Sequence, residues 1–157
     1  MRNVVDHASA ESFQFIPLLG AETFGCNLNV YVCDGKILIV DCGLGFENED
    51  LCFSESPSGV PLPAFLKKNR NRVQGLVLTH GHMDHIGAVW ALLPQLRCPL
   101  YTTSFTADLL SARSGGEDFP FHLVRRISPL VDMDIGNFSI RLIPVPHSIP
   151  SAHALAI

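Results

Sequence analysis

A short apolar run that ends in a cluster of histidines constrains this chain more than any other feature. Gly75 to Thr79 shows almost no apolar–polar alternation, the pattern of a strand buried on both faces. It leads straight into His80-Gly81-His82-Met83-Asp84-His85, and after it Ile86, Val89, Trp90 and Leu93 recur at helical spacing. Strand, polar junction and helix form the unit of layered α/β folds, and the junction is where such folds place their sites. With seven His and nine Asp in 157 residues, H-x-H-x-D-H arises by chance in about one chain in a thousand. Residues two apart on a strand-like segment point the same way, so His80 and His82 can share one ion. Asp84 and His85 open the helix and project toward a neighbouring position. Gly81 leaves the backbone free to turn between the imidazoles. Imidazole suits Zn²⁺, and the carboxylate widens the choice to Mn²⁺. A solvated loop with Asp84 as a helix cap accounts for Asp84 but leaves three histidines without a reason.

The rest of the chain frames that junction. Phe13 to Leu19, Leu28 to Cys33 and Lys36 to Val40 read as strands, the last two joined by the turn dipeptide Asp34-Gly35. Asp41 and Gly43 follow, then an irregular stretch to about Val60. Pro61 to Asn69 reads as a short helix, and the helix behind the histidines is expected to stop at Pro94. Further on come a strand over Leu100 to Thr103, a helix from Ser104 through Leu110 and a loop at Gly115-Gly116. Leu123 to Ile127 and Phe138 to Val145 read as strands, and Ala154 to Ile157 as the start of one more. A hairpin meander followed by alternating strands and helices predicts a mixed α/β layered fold, not a doubly wound parallel sheet. The length suits one domain. The chain stops at Ile157 inside an apolar run, which predicts a fragment.

Composition excludes several classes. With 47% hydrophobic and 17% charged residues the chain has a packed core and is not a disordered tail. A net charge of −4 gives no global nucleic-acid footprint, so any basic surface must be local. Apolar runs such as Ile37 to Val40 are too short to span a bilayer, and the first dozen residues lack a secretion-signal core. A cytoplasmic protein without a membrane partner is the expectation. The five cysteines are odd in number and form no C-x-x-C pair, so they read as small structural hydrophobes. His153 reads as structural and His7 and His122 as surface residues. Lys67, Lys68, Arg70 and Arg72 read as a solvated helix end.

The six-residue cluster resembles the signature of the metallo-β-lactamase-fold hydrolases. Asp41, after the strand Ile37 to Val40, resembles the Asp that supports this family's site from below. His147, after the strand Phe138 to Val145, resembles the third His of its first metal. Within the superfamily, Leu78 to Ala88 (LTHGHMDHIGA), Leu96 to Tyr101 (LRCPLY) and His147 to Ile157 (HSIPSAHALAI) are similar to the ribonuclease J branch. Pro17 to Tyr31, with Gly20, Gly25 and Asn27, resembles that branch's first hairpin, and His147-Ser148-Ile149-Pro150 carries the branch assignment. Met83 departs from it, standing where the branch usually has an acidic residue.

The resemblance implies an α/β (α+β layered) fold, a metallo-β-lactamase-type αββα sandwich incomplete at its C-terminus. Residues 1–12 would be an N-terminal extension and 13–157 the N-terminal part of the domain. The β-CASP domain, a bridging Asp and a last His would lie beyond it. His80, His82 and His147 would hold one zinc, with Asp84 and His85 contributing to a second and serving the catalysis; manganese is the alternative metal. Asp41 would orient a ligand, and Ser148 would touch a substrate phosphate. The implied activity is endo- and exonucleolytic hydrolysis of RNA by a metal-activated hydroxide. RNA is the implied partner, self-association of the full-length protein stays open, and the 157-residue chain alone is expected to be inactive. Two other readings remain open: a lactone or thioester hydrolase of the same superfamily, and a non-catalytic metal-binding remnant.

Overall fold

The computed structural model describes residues 12–22, 25–45, 62–114 and 119–157. The expected extension up to residue 11, the irregular stretch before Val60, the Gly115-Gly116 loop, His7 and Cys52 lie outside the described residues. The chain opens as expected with β1 (Phe13–Leu19), β2 (Leu28–Cys33) and β3 (Lys36–Val40), an antiparallel meander. Asp34 and Gly35 take positive φ values of 46° and 75°, which matches the twist of the strands they join. After α1 (Ala64–Asn69), β4 (Val73–Val77), β5 (Leu100–Thr102) and β6 (Val124–Arg126) add on in parallel. The result is one six-stranded sheet in the order β1-β2-β3-β4-β5-β6. A second sheet holds β7 (Met133–Ile135), β8 (Phe138–Pro144) and β9 (His153–Ala156), all antiparallel.

Alternation along the central strands sorts their side chains into two cores. Ile37, Ile39, Leu76 and Leu78 pack with α3 (Val89–Leu96) and α4 (Ser104–Arg113) through Leu92, Leu93, Leu96 and Leu110. Leu38, Val40 and Val77 face the other way and meet Ile135, Phe138, Ile140 and Leu142 of the second sheet. Helices, six-stranded sheet and three-stranded sheet therefore stack as layers. The outer face of β8 leaves Ser139, Arg141 and Ile143 exposed. No helix among the described residues is long and apolar enough to cross a membrane.

Several expectations need correction. The strand before the histidines ends at Val77, because the next ladder donor is diverted: Thr79 N–H donates to the Asp41 carboxylate at 2.8 Å. His80 and His82 consequently sit in the loop beyond the strand, and His82 is the residue preceding α2 (Met83–Ile86). The single helix expected behind the cluster is two, since Ala88 N–H turns away to donate to Cys42 O at 2.9 Å. Pro94 lies inside α3 and does not stop it. It forfeits only its own bond to the preceding turn, and the stop comes at Arg97, left-handed with φ 55° and bonded through its N–H to Leu93 O. β7 was not expected; Gly136, at φ 58°, turns it back into β8 with Ile135 opposite Phe138.

Cys42 and Cys98 are buried free thiols, as expected, and burial pushes the Cys98 thiol up to about 12. Cys26 departs from the expectation and is disulfide-bonded.

Candidate metal centre

Three loops meet at the carboxyl ends of β3 and β4. Asn27 N–H donates to Asp84 O at 2.9 Å, Cys42 N–H to His85 O at 2.7 Å, Gly43 N–H to Asn27 O at 3.0 Å and Leu44 N–H to Met83 O at 3.0 Å. The histidine loop is thereby tied to the start of β2 and the end of β3. The approach is close enough to require glycine: a Cβ at Gly43 would fall 1.6 Å from Asp84 O.

Asp41 organises the floor. It is buried, its backbone is left-handed at φ 63°, and its N–H donates to Val77 O. That conformation is uncommon outside glycine but one that Asp tolerates. It carries the carboxylate beneath the histidines. Oδ1 accepts from Thr79 N–H, the Thr79 hydroxyl lies 2.9–3.0 Å from both oxygens, and Oδ2 accepts from His85 Nδ1–H at 2.8 Å. With its proton on Asp41, Thr79 Oγ1 accepts from His80 Nδ1–H at 3.0 Å. The network therefore assigns both His80 and His85 the tautomer with a bare Nε2.

His80 is buried, and its Nε2 lies 3.2 Å from Nε2 of the exposed His147. Burial, and then the neighbouring imidazoles, push His80 down to about 4 against the opposing charge of Asp41, so it is neutral near pH 7. The ligand atoms of His80, His82 and His147 all lie within 4.8 Å of one another. A tetrahedral zinc with bonds of about 2.0–2.1 Å holds its nitrogens about 3.3 Å apart, so the set fits such an ion after a small inward adjustment. The His85 pKa moves the other way. Burial pulls it down, but the hydrogen bond and charge of Asp41, with the charge of Asp84, outweigh burial and hold it above the ordinary histidine value. Its Nε2 lies 3.4 Å from Asp84 Oδ2, and its ring centroid 4.0 Å from that of His80. A second donor pair thus sits beside the first cluster.

All six residues singled out as metal ligands or their support, Asp41, His80, His82, Asp84, His85 and His147, are brought together. Ser148 is exposed in the turn directly after His147. His122 is exposed in a 3₁₀ turn before β6 and joins no ligand group among the described residues. His153 is buried at the head of β9, where its N–H donates to Thr79 O at 3.2 Å; its Nδ1 has no hydrogen-bond partner among the described residues. Arg72 closes the α1 end through contacts to Gly35 O and to Asn69 Oδ1. Two residues of the site went unassigned in the sequence reading. Thr79 carries the contact from Asp41 to His80. Asn27 places its side-chain amide against Asp84 O, Asp84 Oδ2 and His85 Nε2. The sequence signal of Thr79 is its position alone, one residue before the cluster; Asn27, one residue before β2, stands out only within the resemblance of the first hairpin.

Similarity to known proteins agrees with this geometry. The chain is 34% identical over 161 residues to "Ribonuclease J" of Sinorhizobium meliloti, covering 97% of this chain and 28% of that protein. It is also 34% identical over 153 residues to "Ribonuclease J" of Corynebacterium glutamicum, covering 96% and 21%. The chain thus spans about a quarter of the length of these relatives. Among solved structures, the "Rm3 metallo-beta-lactamase" superposes with a TM-score of 0.59 at 18% identity, covering 83% of this chain and 49% of that one. The chemotaxis sensor ODP, solved as a peroxy diiron species, superposes with a TM-score of 0.61 at 14% identity, covering 98% and 58%. These two similarities speak for the fold alone. Residues 22–155 match the metallo-beta-lactamase superfamily model, and with its histidine cluster in the loops at the carboxyl ends of the strands this chain belongs to that superfamily.

Proposed function

We propose that this chain is the N-terminal, metal-holding part of a ribonuclease J-like phosphodiesterase that hydrolyses RNA. The observation that carries the reading is the convergence of His80, His82 and His147 beside Asp84 and His85, in a sequence similar to ribonuclease J along nearly its whole length. In this reading His80, His82 and His147 hold one ion and Asp84 and His85 hold part of a second. Zinc is the metal the donor set favours, with manganese as the alternative. The chemistry such ions supply when bound is activation of water near neutral pH and neutralisation of charge on the phosphate. The chain's own residues do the rest. Asp41 fixes His85 directly and His80 through Thr79, so both present a lone pair without rotating. Burial keeps His80 neutral, and Ser148 offers a hydroxyl to a substrate phosphate next to His147. Residues 1–12 form an extension in this reading, and the β-CASP region and remaining ligands belong to the rest of a longer cytoplasmic polypeptide.

The test uses that complete polypeptide with labelled single-stranded RNA bearing a 5′-monophosphate, with and without EDTA. EDTA-sensitive cleavage is expected, and the product sizes separate endo- from exonucleolytic action. Hydrolysis of lactones or thioesters with RNA left intact would replace this reading by another activity of the same superfamily.

A further inference from the structure

Asn27 hydrogen-bonds to both residues of the second donor pair and, among the described residues, to none of the first cluster. Its Nδ2 lies 3.1 Å from Asp84 O, 3.5 Å from Asp84 Oδ2 and 3.2 Å from His85 Nε2. A backbone carbonyl can only accept, so the amide nitrogen, not its oxygen, faces these atoms. With His85 Nδ1–H committed to Asp41 Oδ2, the neutral imidazole presents its Nε2 lone pair toward Asn27. One amide hydrogen therefore goes to Asp84 O, and the other is shared between a carboxylate oxygen and an imidazole nitrogen. Those are the two lone pairs that a cation between Asp84 and His85 would need. The backbone fixes this placement: Asn27 N–H donates to Asp84 O, and Asn27 O accepts from Gly43 N–H.

We propose that Asn27 is a positioning residue that stands in for the second cation. Its amide keeps Asp84 and His85 converged while that position is empty and gives way when a cation enters. This rests on the metal-centre reading of the five ligands. It makes filling of the second position a competition between a cation and an amide donor for the same lone pairs, while the first position fills independently.

The experiment is a zinc titration of the 157-residue chain, followed by the ¹⁵N resonances of the Asn27 side-chain amide and the His85 imidazole, with bound zinc measured in parallel. The first equivalent should perturb His80, His82 and His147 and leave the Asn27 amide in place. Further zinc should move the Asn27 amide and His85 Nε2 with a common midpoint. Asn27→Asp replaces the donor by an anionic oxygen ligand and should tighten the second zinc by about tenfold or more, with the first unchanged. A purely structural asparagine predicts neither result. An Asn27 amide that moves with the first equivalent, or that stays put while His85 takes up zinc, overturns the proposal. So does a folded Asn27→Asp chain whose second-site affinity is unchanged. If Asn27→Asp does not fold, the titration of the unaltered chain decides alone, and absence of any uptake beyond the first equivalent up to millimolar zinc counts against the proposal. Failure of His80, His82 and His147 to take up the first zinc would overturn the metal-centre reading itself.

Discussion

Asp41 divides one carboxylate between two imidazoles, reaching His85 directly and His80 through the Thr79 hydroxyl. Loss of such a partner commonly costs about 10–100-fold in metal affinity. Asp41→Asn should therefore weaken zinc binding within that range while the first-site stoichiometry remains one, as isothermal titration would show. The ligands themselves behave differently. His80→Ala, His82→Ala or His147→Ala should lower bound zinc measured by elemental analysis, and His122→Ala should not; equal content in all four sinks the assignment. Charge on the imidazoles gives a second, independent measurement on the metal-free chain. Folding lowers the pKa of His80, so the neutral form is favoured, and its contribution to stability is full above the ordinary value of 6.5 and lost as pH falls toward about 4. His85, raised by folding, contributes stability below 6.5 that is lost as pH rises through its folded value. His80→Gln removes the first dependence only. Its urea midpoint should fall less than that of the unaltered chain between pH 6.5 and 4, and identical slopes would show that His80 is not held neutral.

At the scale of elements, the centre depends on three loops lying closer together than side chains permit. Gly43 is the tightest point, because a Cβ there would overlap Asp84 O and the adjoining carbonyl carbon and amide nitrogen. These are backbone atoms already fixed by bonds from Asn27 and Cys42, so they cannot step aside. Gly43→Ala should destabilise the chain by about 3 kcal/mol or more in denaturant unfolding and weaken zinc binding with it. A shift within about 0.5 kcal/mol, the range of ordinary surface substitutions, would show that the loops can separate. This dependence explains what the sequence disclosed and what it hid. The meander and the ends of β1 to β3 follow from local pattern: short apolar runs, alternating burial along β2, and a turn dipeptide whose φ values are both positive. The candidate ligands were legible because three histidines and Asp84 fall within six residues at a diagnostic spacing. Thr79 and Asn27 were not, since each acts through a contact made across the fold, to Asp41 at a separation of 38 residues and to Asp84 at 57. The break at Gly87-Ala88 and the early end of β4 have the same origin: Cys42 and Asp41 capture backbone groups that local periodicity had given to a helix and a strand. β7 was missed because three residues are too few to show a period.

The whole molecule sets the limits of what this chain does on its own. In the metal-centre reading its first cluster is nearly complete, because three imidazoles would leave one position of a four-coordinate zinc open. The second position has only Asp84 and His85 among the described residues, with the Asn27 amide lying across them. In the proposed reading, charge gives this chain little hold on RNA as well. The net charge is −4, and Arg126 and Arg141 are already paired with Asp108 at 2.5 Å and Asp132 at 2.6 Å. A polyanion therefore meets a net negative chain, whereas affinity for nucleic acid grows with each phosphate neutralised. The six-stranded sheet also exposes apolar surface beyond the second sheet. Phe13 and Phe15, each 54% exposed, stack near Tyr31 at ring distances of 5.9 and 5.1 Å on the face that also carries Leu38. A contiguous aromatic patch on an edge strand favours association. The purified 157-residue chain should accordingly bind one zinc tightly, associate with rising concentration, and show no EDTA-sensitive cleavage of labelled RNA above background. Native mass spectrometry reads the first, light scattering the second, with Phe13→Ser and Phe15→Ser together expected to reduce it at unchanged zinc content. Two tightly bound ions together with EDTA-sensitive cleavage by this chain would show that residues 1–157 already hold a complete centre, and that the rest of a ribonuclease J-length polypeptide serves only to grip and guide the RNA.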